Sequence, residues 1–322
     1  MNKRIEFIDL TKLLAIILIV FSHTGNSIFG DKFNILINSF YITIFFVCTG
    51  YTFNTNKLRN YTNLFDTIKK IIKYYLFYSI IILLFYSFLM FIKGNLTFEI
   101  IKNGIIGIIY SRYYLWNRDV VIMGIGNAPM WFMTCYILSY SLFFILKKNF
   151  KNNDLIISII LIIIGFFLSL LEGLLPWSID TVPFMTFFIY FGYYIQRKNI
   201  INNTNIISVI VMIISFLVLA YFNTPINLSI KLYGLNYFYT LVMSIIGCIL
   251  FIYISYILCK FKVFNKISMF GRYTLDIMCY HLMVLFIIKI IIPNDLIAFL
   301  VSIIIIIGIS KYVNAIIKKI VG

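Results

Sequence analysis

Ten apolar stretches follow one another along this chain, most of them separated by short polar connections. They run approximately over residues 5–25, 35–53, 70–93, 129–146, 155–172, 182–196, 205–222, 236–259, 273–292 and 295–317. A helix needs about 20 apolar residues to cross the hydrocarbon core of a bilayer. The sixth stretch is short, and only Pro293-Asn294 separates the last two. Residues 94–128 form the one long connection. Within it Ile100 to Tyr110 is apolar but too short to span, which predicts an interfacial or re-entrant helix. Composition agrees: 62% of the 322 residues are hydrophobic and 12% are charged. Soluble domains hold about 45–50% apolar and about 25% charged residues, and disorder needs low hydrophobicity with high charge. Both classes are excluded. The expected fold is an all-α integral membrane protein, a polytopic bundle of about ten transmembrane helices forming a single domain over residues 1–322.

The formal net charge is +16, from 27 Lys and Arg against 11 Asp and Glu. With no basic-aromatic recognition motif, this excess predicts no nucleic-acid partner; basic residues of a membrane protein gather in cytoplasmic loops. With the N-terminus inside, 19 of the basic residues fall on the inner side and seven on the outer, Lys12 lying within the first span. Both termini are therefore expected in the cytoplasm. Met1 to Arg4 looks like a basic leader, but no small-residue cleavage site follows, so the first stretch reads as a retained span. Cys48, Cys135, Cys248, Cys259 and Cys279 sit in or beside apolar runs without a C-x-x-C pair, and read as small core residues. With two histidines in the chain, no metal site is expected. No fixed-period repeat supports a two-fold transporter.

An ionisable side chain at the centre of a span costs about 2.5–3.5 kcal/mol and usually serves function. The first stretch carries Asp9, Lys12 and His23. At 100° per residue Lys12 and His23 differ by about 20° from whole turns and lie about 16 Å apart along the axis. Asp9, Lys12, Ile16, Ile19 and His23 thus form one stripe, with Lys12 toward the cytoplasm and His23 near the outer face. The plain alternatives are a local Asp9–Lys12 ion pair at the inner interface and a hydrogen-bonded interfacial histidine. Lys70 and Lys73 share a helical face at the inner edge of the third stretch. They suit phosphate oxygens, or an ordinary basic anchor. The ninth stretch carries Arg272 and Asp276 at i, i+4, which predicts an ion pair. His281 follows, about 140° round the helix from Asp276; its plain reading is a helix–helix hydrogen bond. Trp131 opens the fourth stretch at the outer interface, where aromatic anchoring is the plain account, as it is for Trp116 and Trp177. The outer connections hold Asp31, Glu99, Asp119, Glu172, Asp180 and Asp295, any one of which could orient an imidazole.

Together these pieces resemble the membrane acyltransferase type 3 family, in particular its fucose-acetylase-like branch, over nearly the whole chain. Asp9 and Lys12 stand in its D-x-x-K position, and Lys12 to His23 fits its R/K-x10-H pattern. Lys70 and Lys73 fit its basic-x2-basic pattern, with lysines where arginine is commoner. Trp131-Phe132 resembles its W-F element, and Gly271 to His281 its late G-x-x-[ST]-L-x-I-x-x-x-H segment. The resemblance implies an acyl-CoA-dependent O-acetyltransferase. Acetyl-CoA, or another acyl-CoA, would bind from the cytoplasm with its phosphates near Lys70 and Lys73. Its pantetheine arm would thread along the Lys12 face. His23 would act as general base, with Asp9 and Lys12 in the catalytic stripe and Trp131, Glu172 and His281 toward the acceptor. The acceptor would be a hydroxyl of a surface polysaccharide or of its lipid-linked precursor, and the location a bacterial plasma membrane. A transporter or exporter of a polysaccharide or small solute is the competing reading.

Overall fold

The computed structural model describes residues 4–24, 29–112 and 129–321. In chain order its helices are α1 (Glu6–Ser22), α2 (Gly30–Asn38), α3 (Thr43–Tyr51), α4 (Thr62–Ile92), α5 (Phe98–Tyr110), α6 (Trp131–Asn149), α7 (Asp154–Leu170), α8 (Val182–Arg197), α9 (Ile200–Asn203) and α10 (Ile206–Phe222). A two-stranded antiparallel ribbon follows, β1 (Ile226–Asn227) paired with β2 (Leu232–Tyr233), with Ile226 opposite Tyr233. Then come α11 (Tyr237–Leu258), α12 (Lys262–Ser268), a 3-10 turn at Met269–Tyr273, α13 (Thr274–Ile291) and α14 (Asp295–Val321).

Each of the ten apolar stretches is helical, and the short helix expected within 94–128 is α5. Two stretches differ from expectation. The second is broken, with α2 ending before Ser39 and α3 starting at Thr43. The third begins at Thr62 and runs for 31 residues, so Lys70 and Lys73 lie inside a continuous helix rather than at its start. Among the described residues five helical segments are long and apolar enough to cross a membrane: Gly30–Tyr51, Thr62–Ile92, Tyr237–Leu258, Lys262–Ile291 and Asp295–Ile320. α7 and α10 are as apolar but have 17 residues each. Their outward isoleucines and phenylalanines are exposed, Ile207 at 69% and Phe167 at 62%, as lipid-facing side chains must be in a protein with apolar solvent.

The chain divides into two compact units. One comprises Met1–Phe53, Phe188–Asn227 and Leu232–Ile316; the other comprises Asn54–Phe187, Leu228–Lys231 and Ile317–Gly322. In the first unit α1 is the inner helix, packed against α2, α3, α11, α12, the 269–273 turn and α13. Most of its apolar side chains are buried, Ile8, Leu10, Leu13, Ile16, Ile19 and Val20 among them, while Asp9 and Lys12 are half-buried near its start. Glycines set the close crossings. A Cβ on Gly50 would stand 1.8 Å from the Ile189 carbonyl oxygen, and one on Gly192 2.0 Å from that of Val47, so α3 and α8 meet backbone to backbone. Small residues serve this purpose where lipid removes the hydrophobic drive between helices. The break between α2 and α3 is held by polar groups: the Ser244 hydroxyl donates to the Ser39 carbonyl, and Thr43 Oγ1 lies 3.3 Å from Cys248 Sγ.

In the second unit α4 packs against α5 and α6. Tyr75 donates to the Ile108 carbonyl at 2.5 Å and Tyr110 to that of Leu174 at 2.6 Å. A fully buried ion cluster ties its connections together. Arg112 donates to Asp180, to the Leu175 carbonyl at 3.1 Å and to the Ser229 carbonyl at 2.6 Å. Lys231 Nζ stands 3.8 Å from Asp180 and donates to the Leu171 carbonyl at 2.8 Å. Buried charges persist only when paired and hydrogen-bonded; here three chain segments supply the partners.

Candidate active site

The two histidines, 258 residues apart in the chain, come together. His23 caps the C-terminal end of α1 and is exposed. His281 lies in the second turn of α13 and is 1% exposed. Their ring centroids are 5.4 Å apart with planes tilted by 36°. His281 Nδ1 stands 2.8 Å from the Met278 carbonyl and 3.2 Å from that of Ile277. A carbonyl can only accept, so Nδ1 carries the proton and Nε2 the lone pair. That Nε2 is buried and has no hydrogen-bond partner among the described residues.

α13 holds the end of α1 at a second point. Lys289 donates to the Thr24 carbonyl, one residue beyond His23, and pairs with Asp295 at 2.9 Å. A lysine on the last carbonyls of a helix meets both their unsatisfied acceptors and the negative end of the dipole. Sequence reasoning placed Lys289 only among outer-side charges, because nothing in the spacing of α13 reveals which helix end it reaches.

At the opposite end of α1, Asp9 accepts from Arg4 Nε at 2.5 Å and pairs with Lys12 Nζ at 2.7 Å. Arg4 also donates to the Ser268 carbonyl at 2.9 Å. A Cβ on Gly271 would stand 2.0 Å from the Asp9 carbonyl oxygen, so the start of α1 lies directly on the 269–273 turn. The Asp9–Lys12 ion pair is thus present. The stripe joining it to His23 is not an open groove: Ile16 and Ile19, midway, are 1% and 2% exposed.

Asp276, buried in α13, accepts from Asn314 Nδ2 of α14 at 2.5 Å. Arg272, expected to pair with it, donates to the Met269 carbonyl at 3.0 Å and lies over the Tyr273 ring. The remaining candidates belong to the second unit. Lys70 and Lys73 are both exposed on α4. Trp131 is 7% exposed at the start of α6, where Thr134 Oγ1 donates to its carbonyl at 3.1 Å. Glu172 is exposed in the connection after α7. Trp177 donates to the Ile109 carbonyl at 2.9 Å; Trp116 and Asp119 lie outside the described residues. Of the acidic residues considered as orienters, Asp180 is committed to Arg112 and Asp295 to Lys289, and the described ring set against His23 is His281. Among the described residues no three His, Cys, Asp or Glu side chains gather as metal ligands would.

A family model described as an acyltransferase domain, that of the membrane acyltransferase type 3 proteins, matches residues 5–313. The chain belongs to that family. No curated protein and no solved structure matches it. The protein is accordingly a membrane acyltransferase, and the matched span of this acyltransferase contains both histidines, the Asp9–Lys12 pair and Lys70 with Lys73. In the first unit His23 stands exposed on a fixed helix end, whereas His281 is covered.

Proposed function

We propose that this acyltransferase moves an acyl group, acetyl by family resemblance, from acyl-CoA to a hydroxyl of a surface polysaccharide or its lipid-linked precursor. It would do so in a bacterial plasma membrane, with ten crossings and both termini inside. The observation that carries the proposal is the exposed imidazole of His23 at the anchored end of α1, backed by a second imidazole. His23 takes the proton of the acceptor hydroxyl as its oxygen attacks the thioester carbonyl. The C–O bond forms, the C–S bond breaks, and the proton passes to the departing thiolate, giving ester and free CoA. Lys70 and Lys73, exposed on α4, would hold the phosphates of CoA as point charges, without the bidentate fork of arginine. Travel of the pantetheine arm along the Lys12 face requires the side chains around Ile16 and Ile19 to part.

The test is purified protein in detergent with acetyl-CoA, following free CoA thiol, wild type beside His23→Ala. Release stimulated by a glycan acceptor and lost in the folded variant supports the proposal. No release and no CoA binding by folded wild type sinks it and moves attention to solute flux in vesicles.

A further inference from the structure

We infer that His281 is a positioning residue for His23, an inference that rests on the acyl-transfer reading for its kinetic consequence but not for its geometry. The ring of His281 has two unlike ends. Its Nδ1–H is committed to the Ile277 and Met278 carbonyls of its own helix, which fixes both the ring plane and the tautomer. The opposite nitrogen, Nε2, is buried and unmet by any described residue. A buried acceptor without a donor is costly and rare, so such an atom marks a place where a donor arrives. His23 is the ring that lies against His281, 5.4 Å between centroids, and being exposed it is free to turn. Turned, it donates one ring N–H to Nε2 of His281. Its other nitrogen then carries the lone pair and faces outward, where an acceptor hydroxyl comes. A substrate hydroxyl reaching for Nε2 itself would have to displace His23 first. His281 therefore sets which nitrogen of the base is basic, as an orienting partner does for a metal-bound or catalytic imidazole, and touches no substrate. The Lys289 contact to the Thr24 carbonyl serves the same end by fixing the backbone beside His23.

Two histidines in the chain mean four imidazole nitrogens, few enough to assign one by one. In 15N-histidine-labelled protein in detergent micelles, His281 is expected as the neutral Nδ1–H form, its Nε2 resonance shifted by an accepted hydrogen bond that disappears in His23→Ala. A protonated Nε2 on His281, or an Nε2 resonance indifferent to His23→Ala, overturns the inference whether or not the protein transfers acyl groups. Kinetics separate the remaining roles. Asn at 281 keeps a donor near the Nδ1 position, while Gln keeps an acceptor near Nε2. His281→Asn should lower kcat about 10–100-fold, as loss of an orienting partner typically does, with KM for acetyl-CoA and acceptor little changed; His281→Gln should recover most of it. An Asn variant equal to wild type makes the histidine purely structural, and a raised acceptor KM at unchanged kcat makes it a substrate contact; either rejects positioning. If wild type itself shows no His23-dependent turnover, the acyl-transfer reading fails, and the resonance experiment still decides the geometry.

Discussion

Gly271 and Lys12 show how much single residues decide at the N-terminal end of α1. A methyl group on Gly271 would stand 2.0 Å from a backbone oxygen of Asp9, and a backbone cannot step aside as a flexible side chain can. Gly271→Ala should therefore destabilise by about 1–3 kcal/mol, the usual cost of overpacking, read as a lower thermal midpoint in detergent; an unchanged midpoint would show that α1 does not rest on the 269–273 turn. Lys12 shares Asp9 with Arg4. Lys12→Leu leaves that carboxylate a partner, so stability should change by less than about 1 kcal/mol, while use of acyl-CoA falls several-fold. A large loss of stability with normal donor use would make Lys12 a structural ion-pair member and nothing more.

At the scale of elements, α13 grips α1 at its C-terminal end, through a ring contact at His281 and a cation on the Thr24 carbonyl at Lys289. Hydrogen bonds to charged groups contribute about 1.5–3 kcal/mol, and this one orders the residue next to His23. Lys289→Met keeps the chain length of the stem and removes the donor. It should lower turnover about tenfold or more, since small misplacements of reacting groups are costly, with a midpoint shift of only a few degrees. Turnover equal to wild type would show that the end of α1 needs no clamp. The break between α2 and α3 belongs to this scale too. Its signal in the sequence is weak, because Ser39 and Thr43 sit in an apolar run that reads as one span; the Ser244 and Cys248 contacts that stabilise the break come from α11.

For the molecule as a whole, the proposed orientation rests on the distribution of basic residues. The proposed ten crossings with both ends inside would place Asn294 outside and Asn152 and Asn203 inside. In a variant with its five cysteines replaced, Asn294→Cys should react with a membrane-impermeant thiol reagent on intact cells, whereas Asn152→Cys and Asn203→Cys should react only after permeabilisation. Labelling of Asn203→Cys from outside would remove a crossing from the count and with it the donor-inside, acceptor-outside arrangement. The helical segments, their order and their lipid-facing exteriors were legible in the amino-acid sequence because each depends on a local run of apolar side chains, whose backbone polar groups must be satisfied within the segment when lipid is the solvent. The Asp9–Lys12 ion pair was legible for the same reason, since a helical period is local. What only the tertiary structure decided is which residues meet across helices: His23 against His281, Lys289 on the end of α1, Arg112 with Asp180 and Lys231, and Asp276 with Asn314 rather than one turn away. Those pairings join residues 38 to 265 positions apart, and between helices in an apolar medium they are selected by close packing at glycines and by the need of each buried polar group for a partner, neither of which leaves a period in the sequence.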